Sequence, residues 1–384
     1  MKKKKIVFLT GTRADFGKLK PLIKQVDKHP GFESYLFVTG MHTLIKYGNT
    51  VDEVYKCFDD KRLEGGFRNI FVFRNQMYGE PMEHILANTI QGLSRFVADL
   101  NPDMIVIHGD RVEAMAGAIV GSLRNILVAH VEGGEVSGTI DELIRHSTSK
   151  MSQIHFVSNE TAEKRLLQLG ETQNSIFNIG SPDIDLMLST DIPAIDEVKK
   201  HYKINYKSYG IVIFHPITTD LQGTEHYAKE LVKSILALID HNFVVIYPNN
   251  DEGSNLIFRE YKKLEGHPHI TILPSMRVEA FMSLLKNCDF LLGNSSAGVI
   301  EAPVYGVKTI NITKRQHNRY KSKCIFSCEG LSGDIISLVK QIQSIPNFKP
   351  DFSYGKGDSA KRFMACLEGD PIWKISTQKQ FVDL

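Results

Sequence analysis

The chain has 384 residues, too many for one ordinary core and about right for two domains. With 42% hydrophobic and 23% charged residues and no biased tracts, it has the composition of a soluble globular protein, which sets aside disordered and fibrous classes. The formal net charge of +2 leaves no global basic field for nucleic acid or a membrane surface, so any anion site must be local.

The run Lys2 to Lys5 leads directly into the apolar strand Ile6 to Leu9 and reads as its solvated entrance. The apolar run is too short for a signal segment, and no window reaches the roughly 18 apolar residues of a membrane helix. A cytoplasmic protein is therefore expected. Gly11-Thr12-Arg13-Ala14-Asp15-Phe16-Gly17 follows the strand and opens a helix, whose first backbone N–H groups would welcome a phosphate. Its spacing is neither that of a dinucleotide fingerprint nor that of a P-loop.

Further strands are expected at Tyr35 to Val38, Met104 to Ile107, Ile126 to Ala129, His155 to Val157 and Ile176 to Ile179, with helical stretches between them. His108-Gly109-Asp110-Arg111 ends one strand and His130-Val131-Glu132-Gly133-Gly134-Glu135 ends the next. Each delivers a carboxylate to the edge where parallel sheets bind ligands, and like charges there raise one another's pKa. Asp110 can equally serve as a helix cap, whereas the glycines around Glu132 favour close approach of a ligand. A helix from about Thr139 carries Asp141 and Glu142 in its first turn, as macrodipole complements or as a third carboxylate of the site.

The turn Gly180-Ser181-Pro182-Asp183 marks the expected border between a first domain, 1–180, and a second, 181–384. The second series of strands runs Ile211 to Phe214, Phe243 to Tyr247, Ile270 to Leu273, Phe290 to Leu292 and Thr309 to Ile312. His215 follows the first of these and can donate to a phosphate, act as an acid, or be structural. Gly293 to Pro303 follows another strand and should start a helix, with Ser295 and Ser296 suited to a diphosphate and Glu301 to ribose hydroxyls. A last helix, Ser359 to Glu368, is expected to cross back towards the first domain. The pattern is α/β, with two Rossmann-like doubly wound domains facing a central cleft that holds the active site.

Five scattered cysteines suit reduced thiols, and Cys324 with Cys328 has no second pair with which to hold zinc. No His/Cys/carboxylate cluster has metal-ligand spacing, so no metal is expected.

Taken together and in order, these segments resemble the UDP-N-acetylglucosamine 2-epimerase family, whose fold is the two-domain glycosyltransferase-B type. Gly11-Thr12-Arg13, His108-Gly109-Asp110, His130-Val131-Glu132, Ser295/Ser296 to Glu301 and Arg315 all match family positions. Ala14-Asp15 and the stretch Gly133 to Glu142 resemble the hydrolysing branch, which supplies N-acetylmannosamine for sialic acid synthesis. The resemblance implies catalytic carboxylates at Asp110, Glu132 and Asp141, with His215 as an acid or phosphate donor. It places Arg13, Ser295, Ser296, Glu301 and Arg315 on UDP, with Lys18 adding charge near the diphosphate. It also implies a UDP-sugar substrate, no cofactor, no nucleic-acid or membrane partner, and a homo-oligomer, dimer or tetramer. Three rivals share parts of this pattern: the same chemistry on a UDP-diacetamido-trideoxyhexose, a non-hydrolysing epimerase, and a glycosyltransferase of the same fold.

Overall fold

The computed structural model describes residues 3–383 except 64–65, 138, 191, 317–318 and 320–321; Lys2 of the basic run and Gly138 of the Gly133 to Glu142 stretch lie outside them. In chain order the elements begin β1 (Lys4–Thr10), α1 (Arg13–Lys28), β2 (Phe32–Val38), α2 (Val51–Cys57), β3 (Ile70–Val72), α3 (Met82–Leu100), β4 (Met104–His108) and α4 (Val112–Leu123). They continue with β5 (Leu127–Val131), α5 (Ile140–Met151), β6 (Ile154–Val157), α6 (Glu160–Gln168), β7 (Ile176–Asn178), α7 (Pro182–Met187) and α8 (Ile195–Tyr202). Then follow β8 (Gly210–Ile213), α9 (Leu221–Ala237), β9 (Phe243–Ile246), α10 (Ser254–Tyr261), β10 (Ile270–Leu273), α11 (Val278–Lys286) and β11 (Phe290–Gly293). The last are α12 (Glu301–Val304), β12 (Lys308–Ile312), β13 (Ile325–Cys328), α13 (Ser332–Gln343), α14 (Ser359–Glu368) and α15 (Asp370–Trp373).

Two compact units result. The first comprises residues 1–135, 141–188 and 354–384, and the second residues 136–140 and 189–353. The border expected at 180/181 lies instead after Leu188, because α7 with its caps Ser181 and Leu188 packs within the first unit. The second unit also ends at Ser353, and the chain then returns to the first.

Among the described residues the first unit holds a parallel sheet in the order β3-β2-β1-β4-β5-β6-β7, and the second one in the order β10-β9-β8-β11-β12-β13. Both are doubly wound. In the first, strand order reverses between β1 and β4; in the second, between β8 and β11. Such reversals splay the connecting loops apart at the carboxyl ends of the strands and leave a crevice there.

Strands such as Ile6-Val7-Phe8-Leu9 are apolar on every side chain because helices cover both faces of each sheet. The sequence reading passed over β3 and β13, which are edge strands with half-exposed patterns. A strand buried on one side only lacks the continuous apolar run that marks a central one.

Helix α14 belongs to the main core of the first unit. Phe363 is fully buried there, 6.4 Å from the ring of Phe8 and 4.8 Å from that of Phe156.

Candidate active site

In the first unit the crevice between β1 and β4 is walled by Gly11 to Arg13 on one side and His108 to Asp110 on the other, with Glu132 at the end of neighbouring β5. Several of the N–H groups at the turn into α1 are already engaged within the loop. Asp15 accepts from Gly11 N at 2.9 Å and from Thr12 N at 3.1 Å, while Thr12 Oγ1 caps Asp15 N. A capping box, Thr-x-x-Asp, closes this turn, and its spacing was legible in the sequence. Arg13 points to a second carboxylate, with Nε 2.9 Å from Glu53 of α2.

Glu132 has a left-handed backbone, φ 62°, uncommon for a residue with a side chain. Its neighbouring glycines serve packing rather than ligand approach. A Cβ on Gly133 would stand 2.8 Å from Ser149 Oγ, and one on Gly134, φ 75°, would stand 2.4 Å from the Ala162 carbonyl. The sharp turn after β5 thus aims the Glu132 carboxylate back across the strand ends.

There it meets groups from three elements. Lys18 Nζ of α1 lies 2.9 Å from Oε2, His108 Nε2 of β4 lies 3.1 Å from the same oxygen, and Ser181 Oγ donates to Oε1 at 2.5 Å. Burial alone would raise the pKa of Glu132, but the Lys18 ammonium, the adjacent His108 and the hydrogen bonds from His108 and Ser181 hold it well below 4.5. Mutual repulsion of carboxylates, expected from the sequence, is outweighed by this cation, so Glu132 is ionised at neutral pH. Lys18, expected near a diphosphate, is a buried partner of two carboxylates; its Nζ also lies 2.9 Å from Asp183 Oδ2.

Asp110 does not cap α4, whose cap residue is Arg111. It pairs instead with Arg145, whose buried guanidinium also donates to the Glu135 carbonyl at 3.3 Å. Asp141 sits in the first turn of α5, one turn before Arg145 and so on the same helix face. Beneath them His130 is fully buried, with Nε2 2.7 Å from the Gly109 carbonyl and Nδ1 3.0 Å from Ser149 Oγ. Desolvation pushes its pKa down to about 3, so it is a neutral strut. Arg145, Ser181 and Asp183 were given no role from the sequence, and His108 was named only as part of His-Gly-Asp. His108 and Arg145 carried a signal, lying within His-Gly-Asp and at helical spacing from Asp141; Ser181 and Asp183 are distant in sequence and offered none.

In the second unit the crevice between β8 and β11 brings His215 and Arg315 to Asn294. Its Oδ1 accepts from His215 N at 2.7 Å, and its Nδ2 donates to the His215 carbonyl at 2.9 Å. Gln316 and Arg315 donate to its carbonyl at 2.8 and 3.4 Å. Asn249 N donates to His215 Nδ1 at 3.1 Å, which places the imidazole proton on Nε2. The helix expected from Gly293 to Pro303 is instead a 3-10 turn, Ser296–Gly298, capped by Ser295, followed by the four residues of α12. Ser296 is half-buried, and buried Glu301 has an Oε2 without a hydrogen-bond partner. Among the described residues no cluster of His, Cys, Asp and Glu could hold a metal, and no helix is long and apolar enough to cross a membrane.

Comparison with known proteins accounts for most of the chain. Residues 24–368 match the family model described as UDP-N-acetylglucosamine 2-epimerase. The chain is 45% identical to the UDP-N-acetylglucosamine 2-epimerase of Neisseria meningitidis serogroup B, over 99% of both chains. It is 30% identical to the UDP-N,N'-diacetylbacillosamine 2-epimerase (hydrolyzing) of Legionella pneumophila, over 96% of this chain and 97% of that one. It is 35% identical to the polysialic acid biosynthesis protein P7 of Escherichia coli, over 84% and 82%. The fold matches the crystal structure of Methanocaldococcus jannaschii UDP-GlcNAc 2-epimerase in complex with UDP-GlcNAc and UDP, with a TM-score of 0.80 at 21% identity, over 95% of this chain and 99% of that one.

Proposed function

Because the chain belongs to the UDP-N-acetylglucosamine 2-epimerase family, we propose that it is a hydrolysing member, converting UDP-N-acetylglucosamine and water to N-acetylmannosamine and UDP for sialic acid biosynthesis. The observation that carries this reading is the set of carboxylates on the first unit's crevice, with Glu132 held ionised beside the ends of β4 and β5. The relatives from Legionella, a hydrolyzing 2-epimerase, and Escherichia, a polysialic acid biosynthesis protein, support hydrolysis and the sialic acid route respectively. The protein acts in the cytoplasm as a homo-oligomer on this reading.

A carboxylate takes the C2 proton, the C1–O bond to UDP breaks with its electron pair leaving on UDP, and a 2-acetamidoglucal forms. Water then adds across the double bond, its hydroxyl at C1 and a proton at C2 on the opposite face. Proton transfer on two faces needs more than one acid/base group, and Asp110, Glu132 and Asp141 supply them. Positive charge building on the sugar ring is met by these carboxylates. Negative charge building on UDP is met by Arg13, Ser295, Ser296, Arg315 and the Nε2–H of His215, while Glu301 Oε2 accepts from the ribose. No step calls on a metal or nicotinamide, since UDP is itself a good leaving group.

The test is to incubate the protein with UDP-N-acetylglucosamine in D2O and follow UDP and sugar by proton NMR. Free N-acetylmannosamine deuterated at C2 is expected; UDP-N-acetylmannosamine as the only product would refute hydrolysis. The Legionella relative favours one second reading, the same chemistry on a UDP-diacetamido-trideoxyhexose. Release of UDP from that sugar alone would select it.

A further inference from the structure

A carboxylate that moves a proton to or from carbon must be held to within a fraction of an ångström, and the groups that hold Glu132 do not all come from its own strand. Two of them lie on the turn into α7, some fifty residues further along the chain. Ser181 Oγ donates to Glu132 Oε1, and Asp183 Oδ2 lies 2.9 Å from the Lys18 ammonium that in turn lies 2.9 Å from Glu132 Oε2. All four side chains are buried. We propose that Ser181 and Asp183 are positioning residues for Glu132. Ser181 fixes one carboxylate oxygen directly, and Asp183 fixes the other through Lys18.

Lys18 is thus engaged with two carboxylates, one at the end of β5 and one on the turn into α7. The turn itself is anchored by the returning C-terminal segment: Ser181 N donates to the Tyr354 carbonyl at 2.6 Å, and Asp185 accepts from Ser359 N at 2.8 Å and Ala360 N at 2.7 Å. A helix remote in sequence therefore braces the residues that brace Glu132.

This inference rests on the reading that Glu132 works on the C2 proton, and the test separates the two. In the full-length protein, Ser181→Ala, Ser181→Thr and Asp183→Asn are compared with wild type for kcat, for UDP affinity by calorimetry, and for the titration midpoint of Glu132 by carboxyl-13C NMR, assigned with Glu132→Gln. Ser181→Ala and Asp183→Asn should each lower kcat about tenfold to a hundredfold, the effect of losing a hydrogen bond or ion pair to a charged group, with UDP affinity within about twofold. Ser181→Thr, which keeps the hydroxyl, should recover most of the loss. The Glu132 midpoint should rise in Ser181→Ala, because a hydrogen bond to the charged form is gone. Unchanged kcat in folded variants, a loss confined to UDP affinity, or an unmoved midpoint would overturn the positioning role. Should Asp183→Asn fail to fold, the Ser181 pair decides. Wild-type protein that turns over no UDP-sugar would sink the functional reading alone, and the NMR midpoint would still judge the positioning.

Discussion

At the scale of single residues, the carboxylates of the first unit differ in what holds them. Glu132 is gripped by an ammonium, an imidazole and a hydroxyl, Asp110 by one guanidinium, and Asp141 stands at a helix start, half-buried. Asp110→Asn, Glu132→Gln and Asp141→Asn preserve shape while removing the titrating group. Each is expected to lower kcat by at least about a hundredfold, the ordinary weight of a positioned acid or base, with UDP affinity nearly unchanged. Steady-state kinetics with UDP calorimetry checks this; full activity in any one removes that residue from the proton-transfer set. Gly293 makes a second residue-scale case. Its φ is 143°, and a Cβ there would fall 1.8 Å from the Ile213 carbonyl of the neighbouring strand. Gly293→Ala should destabilise the second unit by about 2 kcal/mol or more and weaken UDP binding, since the strands must part just where His215 and Asn294 are pinned together.

At the scale of elements, strand order decides which loops become the site. The reversals between β1 and β4 and between β8 and β11 explain why the candidates lie on so few of the loops. The returning helix α14 contributes Phe363, Met364 and Leu367 to the same core as β1 and β6. Phe363→Ala should cost about 3–5 kcal/mol, measured by denaturant unfolding, as expected for an aromatic removed from a closed core. A loss below about 1 kcal/mol would mean that the C-terminal segment is only loosely docked. Because that segment also holds Ser181 and Asp185, the same variant should lower activity in step with the fraction unfolded.

For the whole molecule the buried histidines set a pH limit on stability. Desolvation pushes the pKa of His42 down to about 4 and that of His130 to about 3, and burial lowers that of His155 as well. In the unfolded chain they protonate near 6.5. Between those values the unfolded state binds more protons than the folded one, so stability falls as pH is lowered from about 6.5 towards 4. Glu132 adds a loss of the same sign below about 4.5, where it protonates only when unfolded. Calorimetry from pH 7.5 to 5 should show a steadily falling Tm, and His130→Gln should flatten the slope even where it lowers the Tm itself. A Tm that rises on acidification would contradict the neutral state of these residues.

How much of this was legible before folding follows from how far each signal reaches along the chain. Apolar runs of four or five residues report a strand buried on both faces, so the central strands, the two series and the α/β class could be read directly. Carboxylates at strand ends could be read too, because strand, turn and acid lie within a few residues. The sequence by itself determined the class, the doubly wound units and the positions of Asp110, Glu132, Asp141, His215 and Ser295 along them. Only the tertiary structure decided who their partners are: that Asp15 fills the start of α1, that Lys18 serves two carboxylates, that Arg145 meets Asp110, and that Ser181 reaches Glu132. It also decided that the chain returns to the first unit after Ser353. The physical reason is common to all of them. Propensity and periodicity are local along the chain, whereas the charge of a buried group is governed by neighbours within a few ångströms that chain topology alone brings together.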